Sequence, residues 1–197
     1  MHGVVTHAPP PHELRTERLL LRRFRPGDLA PFAELNADPE VMRHFERPLA
    51  RAESDALAAR IDEHFEEHGF GLFAVELLGD GAFAGFVGLS VPRFEAHFTP
   101  CVEIGWRLAR SQQGCGYATE GARAALAFGF ERLGLDEIVS FTVPANAASR
   151  RVMEKLGLAR DPADDFDHPA LAESHPLRRH VLYRLRASAW RAGRGSV

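Results

Sequence analysis

The spacing of apolar residues predicts a leucine-rich strand followed by a broken helical region at the start of the chain. Residues 14–24 alternate poorly but are rich in leucine, which favours a first strand. Asp28 is placed to cap a helix whose apolar positions continue to Leu35. Pro39 then interrupts the pattern, because a proline inside a helix removes a hydrogen bond and clashes with the preceding turn.

A clearer helix is predicted over residues 51–69. Leu57, Ile61 and Phe65 recur every four residues, which places them on one face of a helix. Gly69 stands where a helix C-cap is expected. This segment is the most regular helical pattern in the first half of the chain.

The apolar period then changes to that of strands. Residues 70–94 contain two strand-like runs separated by Gly-Asp-Gly, which is a hairpin signal. The later predicted elements are, in chain order, strand 101–110, helix 116–134, strand 136–144, helix 146–158, a long polar loop 161–179 and strand 180–190. Loops as long as the last one are usually functional or mobile.

The element order β-α-α-β-β-β-α-β-α-β predicts an α/β fold with one mixed sheet flanked by helices. We expect a single domain over 14–190, between a mobile leader at 1–13 and a tail at 191–197. The sequence has neither an internal repeat nor a clear boundary that would divide this domain.

Composition narrows the class of protein. The chain has 197 residues, of which 45% are hydrophobic, and a formal net charge of −3, so nothing in the overall charge attracts nucleic acid or an anionic membrane. No apolar run approaches the ~20 residues of a membrane span, and the N-terminus lacks the pattern of a secretory signal. Cys101 and Cys115 give neither a disulfide framework nor zinc-ligand spacing. We therefore expect a cytoplasmic protein in a reducing compartment.

A glycine-bearing turn between a strand and a helix is the first candidate site. Gly114 and Gly116 precede helix 116–134, and the first N–H groups of a helix have no partner within it. Without a Cβ, the glycines let an anion approach the amides of Gln113 through Ala118, while Thr119 adds a hydroxyl.

The glycine spacing fits neither standard nucleotide fingerprint. A Walker loop needs a lysine that is absent here, and Thr119 stands where a dinucleotide fingerprint needs its third glycine. From the glycines alone, the segment is either a tight strand-to-helix turn or a phosphate-binding loop.

Two motifs resolve that choice by resemblance. Residues 111–120, SQQGCGYATE, resemble the acetyl-CoA-binding motif of the GNAT acetyltransferase superfamily, and the GYATE continuation is similar to its RimJ/RimL-like branch. Ser111 departs from the superfamily pattern at its first position. Residues 146–158, NAASRRVMEKLGL, resemble the block that follows the next strand in the same family. The resemblance covers roughly residues 14 to 186.

The resemblance implies the acyl-CoA N-acyltransferase fold, a mostly antiparallel central sheet splayed into a V. The pantetheine arm of acetyl-CoA would enter the gap and pair with the backbone of the strand, and its pyrophosphate would lie on the glycine loop. The residues implied to bind the cofactor are Trp106, Leu108, Gln113, Gly114, Cys115, Gly116, Tyr117, Ala118, Thr119, Asn146 and Ser149. No metal is implied.

Two residues are candidates for catalysis. Glu103 lies in a mostly apolar run, where burial would raise the pKa of its carboxyl toward that of a useful base. Alternatively it faces outward and pairs with an arginine, and Arg107 lies on the same face of the strand. The family's usual acid, a tyrosine, is replaced by Met153, so Ser149 or water would protonate the leaving thiolate, or the thiolate would leave unaided.

The resemblance implies an acetyl-CoA-dependent N-acetyltransferase that acts by direct transfer, without an acyl-cysteine at Cys115. Its acceptor would be a primary amine, either a protein N-terminus or a small molecule; a homodimer is compatible with the family, and neither nucleic acid nor membrane is expected as a partner. The alternatives are a catalytically inactive acyl-CoA-binding regulatory module and a nucleotide-phosphate binder that uses the same loop. His168, His175 and His180, in and beside the long loop, are expected to be solvated or to line a substrate pocket, and Tyr183 is expected to reach the acceptor or the core.

Overall fold

The computed structural model describes residues 13–194. The predicted leader, apart from Glu13, and the last three residues of the predicted tail lie outside the described residues. Within 13–194 the chain forms a mixed α/β structure whose single sheet has nine strands.

The leucine-rich start forms two strands rather than the single predicted one. Strands β1 (Glu13–Arg15) and β2 (Leu19–Arg22) pair antiparallel, with Leu14 opposite Leu21. The turn between them is closed by Thr16, whose N–H donates to the carbonyl of Leu19 and whose hydroxyl oxygen accepts from the N–H of Leu19. A polar Thr-Glu-Arg turn thus interrupts the run that the leucine content suggested was continuous.

Three helices follow: α1 (Leu29–Ala37), α2 (Pro39–Met42) and α3 (Arg51–His68). Asp28 is the N-cap residue of α1, as predicted, but its side chain makes no capping hydrogen bond to that helix. Its carboxylate accepts two hydrogen bonds, of 2.7 and 2.9 Å, from the buried guanidinium of Arg22 and one, of 2.7 Å, from the N–H of Arg25 at the start of the preceding turn. The break at Pro39 and the left-handed C-cap at Gly69 are confirmed.

The remaining elements follow the predicted order up to the helix predicted over 146–158; beyond it the structure adds two short strands, one of them inside the predicted loop 161–179, and a last helix. They are β3 (Leu72–Leu77), β4 (Phe83–Ser90), β5 (Glu103–Leu108), α4 (Tyr117–Ala127), β6 (Glu137–Thr142), α5 (Ala147–Lys155), β7 (Ala159–Arg160), β8 (Phe166–Asp167), β9 (Arg179–Arg186) and α6 (Ala187–Arg194). The predicted helix 116–134 ends its α-helical part at Ala127 and continues as a π-helical segment, Phe128–Arg132.

The sheet order is β1-β2-β3-β4-β5-β6-β9-β7, and β8 pairs with the first two residues of β9, Arg179 and His180. Every pair is antiparallel except β5 with β6. This arrangement confirms the predicted mixed, mostly antiparallel sheet.

Helices cover both faces of the sheet. Side chains of neighbouring strand residues point to opposite faces, and on β4 the ring of Phe86 contacts Phe32 of α1, whereas Val87 lies against Gly121 of α4. The α1 and α4 helices are therefore on opposite sides. Most of the buried apolar side chains form one continuous core around the sheet.

The end of the described chain departs from the sequence prediction. The strand predicted to reach residue 190 stops at Arg186, and α6 begins at once, with Trp190 packed 5.6 Å from the ring of Phe130. The alanines of this segment favour a helix, and the contact of Trp190 with Phe130 holds it against the rest of the protein. Within residues 13–194, no helix has the length and apolar character needed to cross a membrane.

Candidate active site

The sheet opens between its two parallel strands. β5 and β6 are bridged at a single position, Glu103 opposite Val139, after which the strands separate. A cavity of about 790 Å³ occupies the opening and is lined by β5, β6, the glycine loop, the first turns of α4 and α5, and the segment after α2. The predicted V-shaped gap is thus present in the fold.

The gap exposes a strand edge with free hydrogen-bonding groups. The backbone groups of successive strand residues point to alternate edges. Ala109 donates its N–H to Ala84 on the β4 side, whereas the Ile104 carbonyl accepts from the Ser140 hydroxyl on the β6 side. By alternation, Trp106 and Leu108 direct their N–H and C=O groups into the gap. The Leu108 carbonyl there accepts from the side-chain amide of Gln113 at 3.1 Å.

The glycine loop presents a run of amides without acceptors. Gly114 and Gly116 have φ of +78° and +85°, which side chains with a Cβ rarely adopt. The N–H groups from Gly114 to Thr119 donate to no acceptor among the described residues, whereas that of Gln113 donates to the Arg110 carbonyl at 3.3 Å. The run of free amides therefore begins one residue later than the sequence suggested and extends through Thr119.

A salt-bridged contact that the sequence did not suggest holds this loop. The Glu120 carboxylate accepts from the Thr16 hydroxyl at 2.6 Å and from the Arg18 N–H at 2.9 Å, and it pairs with the Arg18 guanidinium at 2.6 Å. The same guanidinium donates to the Cys115 carbonyl at 3.1 Å and lies over the Tyr117 ring. The β1–β2 turn therefore fixes the loop and places a positive charge beside Gly116, whose position for a Cβ is 3.3 Å from Arg18 Nη2.

The first turn of α5 also lines the cavity. Asn146 caps the helix by accepting from the Ser149 N–H at 3.2 Å, and its amide donates to the hydroxyls of Ser149 and Thr142, each at 3.0 Å. Because the Ser149 oxygen accepts from Asn146, its own proton is available to a group in the cavity. The capping and site roles expected of Asn146 are geometrically compatible.

Glu103 lies at the apex of the V, on the cavity wall. Burial raises the pKa of its carboxyl from the ordinary value to about 8. The alternative of an outward-facing ion pair with Arg107 is not what the structure has: within residues 13–194 Glu103 has no ion pair, and Arg107 contacts Asn36 instead. Burial and the nearby Glu103 also raise the pKa of the Cys101 thiol to about 11, so that thiol is protonated at neutral pH.

Four other residues discussed in the sequence analysis lie in the core or on the cavity wall, namely Met153, Tyr183, His168 and His180. Met153 is 1% exposed, and Tyr183 is in the core with its hydroxyl between Arg150 and Glu154 at 3.3 and 3.1 Å. His168 and His180 lie 5.1 Å apart, centroid to centroid, and both line the cavity. Burial lowers the pKa of both imidazoles, which favours their neutral forms. Among the described residues, no group of three His, Cys, Asp or Glu side chains is arranged to hold a metal ion.

The splayed sheet, the run of free amides and the Glu103 carboxylate thus meet at one cavity. Comparison with known proteins identifies the family. The model of the acetyltransferase (GNAT) domain family matches residues 18–159. The chain belongs to this family of acetyltransferases, which use acetyl-CoA, and the predicted superfamily is confirmed.

Particular relatives can be named. The chain is 31% identical over 151 residues to the uncharacterized N-acetyltransferase YnaD of Bacillus subtilis, an alignment that covers 75% of this chain and 83% of YnaD. It is 36% identical over 142 residues to the FsC-acetyl coenzyme A-N(2)-transacetylase of Aspergillus fumigatus, which covers 64% of this chain and 55% of that protein. A GNAT-family acetyltransferase structure from Bacillus anthracis superposes with a TM-score of 0.73 at 25% identity, covering 89% of this chain and 99% of that one.

Proposed function

We propose that this chain is an acetyl-CoA-dependent N-acetyltransferase that moves the acetyl group directly to a primary amine. The observation that carries the proposal is the position of Glu103. A carboxyl whose pKa is raised to about 8 lies on the wall of the same cavity that contains a free strand edge and a run of free amides. Donor binding and proton removal are thereby available in one place.

The residues present fit acetyl-CoA. The amides of Gly114 to Thr119, at a helix N-terminus and beside Arg18, suit a pyrophosphate. The edge of β5 at Trp106 and Leu108, where the Leu108 carbonyl accepts from Gln113, suits the amide groups of a pantetheine arm. The side chains of Asn146 and Ser149 line the same cavity. When bound, acetyl-CoA supplies the acetyl group as an activated thioester.

Three groups of the chain then act in proton removal, stabilisation of the oxyanion and protonation of the leaving sulfur. Glu103 in its ionised form accepts the proton of the attacking amine, which must lose it to become a nucleophile. The Trp106 N–H, aimed into the gap, donates to the carbonyl oxygen as negative charge grows there. Ser149 donates a proton toward the departing sulfur, since Met153 has none to give.

Two kinds of primary amine are candidate acceptors, protein N-termini and small molecules. The GYATE segment and the α5 block support the RimJ/RimL-like branch, in which protein N-terminal amines and small-molecule amines are both acceptors. The A. fumigatus relative, named as an N(2)-transacetylase, supports transfer to nitrogen. Two cysteines without a disulfide among the described residues support a cytoplasmic location.

The test is acetyl transfer by the purified protein. Acetyl-CoA is incubated with a panel of N-terminal peptides and small amines, free thiol is measured, and the acetylated product is identified by mass spectrometry. We expect thiol release that depends on an amine and that falls strongly in Glu103→Gln. Tight binding of acetyl-CoA without turnover on any amine would instead favour the inactive binding module, and stabilisation by ATP but not by acetyl-CoA would favour a nucleotide binder.

A further inference from the structure

Arg107 is an enclosed cation on the wall of the cavity that the proposed mechanism does not use. Its guanidinium lies between two rings, with Cζ 4.1 Å from the Phe45 centroid and 5.3 Å from that of Phe86. One nitrogen, Nη1, donates to the side-chain oxygen of Asn36. Its Nε is buried and has no hydrogen-bond partner within the described residues.

Arg22, a second arginine enclosed by the fold, differs from Arg107 because carboxylates neutralise its charge. Arg22 forms ion pairs with Asp28 and Glu76, each at 2.7 Å, and these carboxylates raise its pKa. In contrast, the described residues provide Arg107 with no ion pair, and burial lowers its pKa to about 10, which leaves it charged at neutral pH. Burying a charge without a counter-ion is costly, and buried charges in proteins are normally paired.

We propose that Arg107 binds a carboxylate of the acceptor, so that the substrate carries an anionic group in addition to its primary amine. This inference rests on the proposed function and narrows its substrate class. The guanidinium carries N–H donors that suit a carboxylate, and its Nη2 makes no hydrogen bond to the described residues and is not among their buried unpartnered atoms.

The position of Arg107 relative to the proposed base supports this assignment. Glu103 and Arg107 lie on the same face of β5, four residues apart, and their Cα atoms are therefore separated by about 13 Å. Between them on that face is Gly105, where an added Cβ would meet only Glu103 Oε1, at 3.8 Å. The strand thus offers an open surface with a proton acceptor at one end and a cation at the other.

That surface selects amino acids and related amino carboxylates over plain amines. An amine near Glu103 and a carboxylate on Arg107 would be held in a fixed orientation along this face of the strand. A polyamine would instead bring further positive charge close to Arg107, which has no ion pair among the described residues, and would therefore bind poorly.

The experiment compares matched acceptors that differ only in the carboxyl group. Lysine is paired with cadaverine, tyrosine with tyramine, and ω-amino acids of increasing length with the corresponding alkylamines; kcat and KM are measured for each. In the wild type we expect kcat/KM to be about 100-fold higher for the better carboxylate member of a pair. Arg107→Gln should abolish that preference, mainly by raising KM, and Arg107→Lys should restore only part of it.

Two further variants separate this role from folding. Asn36→Asp places a carboxylate against Arg107 Nη1, where it would compete with the acceptor; Ser54, which now accepts from Asn36 at 2.8 Å, can donate instead. Arg43→Gln removes an exposed arginine that lines the same cavity and should leave the preference unchanged. Acetyl-CoA affinity, measured by calorimetry, should be unaltered in all four variants.

The outcomes are distinct from those of the proposed function. Equal turnover of both members of every pair, or a preference that survives in Arg107→Gln, would refute the Arg107 assignment while leaving N-acetyltransfer intact. If no amine is acetylated, binding of the amino carboxylates to the protein–CoA complex is followed by thermal shift. Stabilisation lost in Arg107→Gln would then support the subsite, and stabilisation that is absent in the wild type would refute it.

Discussion

Replacement of Glu103 by glutamine is the sharpest test of the proposed chemistry, because one perturbed carboxyl is expected to govern both activity and stability. Its pKa is raised from 4.5 to about 8 by burial. At pH 7 roughly one-tenth of the protein then has the ionised base, and at pH 9 roughly nine-tenths. After correction for ionisation of the free amine, kcat/KM of the wild type should therefore rise about tenfold between pH 7 and pH 9.

Glu103→Gln should remove that rise and lower kcat/KM at pH 9 by a factor on the order of 10²–10⁴, the usual contribution of a general base. The assay is thiol release from acetyl-CoA at saturating donor, recorded from pH 6 to 10. A wild-type profile without an ascending limb near pH 8, or the same limb in the variant, would refute the assignment of Glu103 as the base.

Stability gives an independent reading of the same carboxyl. Since the folded-state pKa exceeds the unfolded one, the folded protein binds the extra proton between pH 4.5 and 8, and the free energy of unfolding falls as pH rises through that window. A difference of 3.5 (8 minus 4.5) corresponds to at most ~5 kcal/mol, and water in the cavity reduces it to an expected ~1–3 kcal/mol. Glu103→Gln should therefore match the wild type at pH 4 and be more stable at pH 8.5, as measured by chemical denaturation.

Three further perturbations test other parts of the structure. Gly116→Val forces a branched side chain into φ of +85° beside Arg18 and should weaken coenzyme A binding about 100-fold by calorimetry, whereas unchanged affinity would exclude the loop as the pyrophosphate site. Gly85→Ala directs a Cβ onto the Arg107 carbonyl at φ of +134° and should lower the free energy of unfolding by ~3 kcal/mol; a change under ~1 kcal/mol would contradict the close approach of β4 to β5 at this position. His64, whose pKa is lowered by burial, should make the wild type lose ~1 kcal/mol more than His64→Gln between pH 7.5 and 5.5, because the unfolded chain takes up the proton first; equal losses would show that His64 titrates normally.

The features that the sequence predicted well are local in the chain. The Gly-Asp-Gly hairpin, the left-handed cap at Gly69, the glycine loop and the Asn146 cap each depend on a few adjacent residues, and each has a backbone preference that the sequence exposes. The GNAT family resemblance added the V-shaped gap, which no local pattern specifies.

The features that the sequence missed depend on side chains far apart in the chain. Arg18 and Glu120 are 102 residues apart, and Arg107 and Asn36 are 71 apart, so neither pair has a signature in spacing. Asp28 stands at the predicted N-cap position of α1, but its carboxylate binds the buried cation of Arg22 and the N–H of Arg25 and does not cap that helix. The ion pair with Arg22, which the sequence did not suggest, determines where this carboxylate points.

The single bridge between β5 and β6 has a consequence for the length of the donor. In the proposed arrangement, Glu103 stands at the closed end of the gap and the pyrophosphate site at its mouth, with the strand Glu103–Leu108 between them. Five residue steps of a strand measure about 17 Å. The strand therefore sets a minimum length: a donor too short to extend from the amides of Gly114 to Thr119 to the Trp106 N–H cannot occupy both parts of the gap at once. We expect truncated thioesters that lack the nucleotide to lose turnover far more than their loss of contact area would suggest.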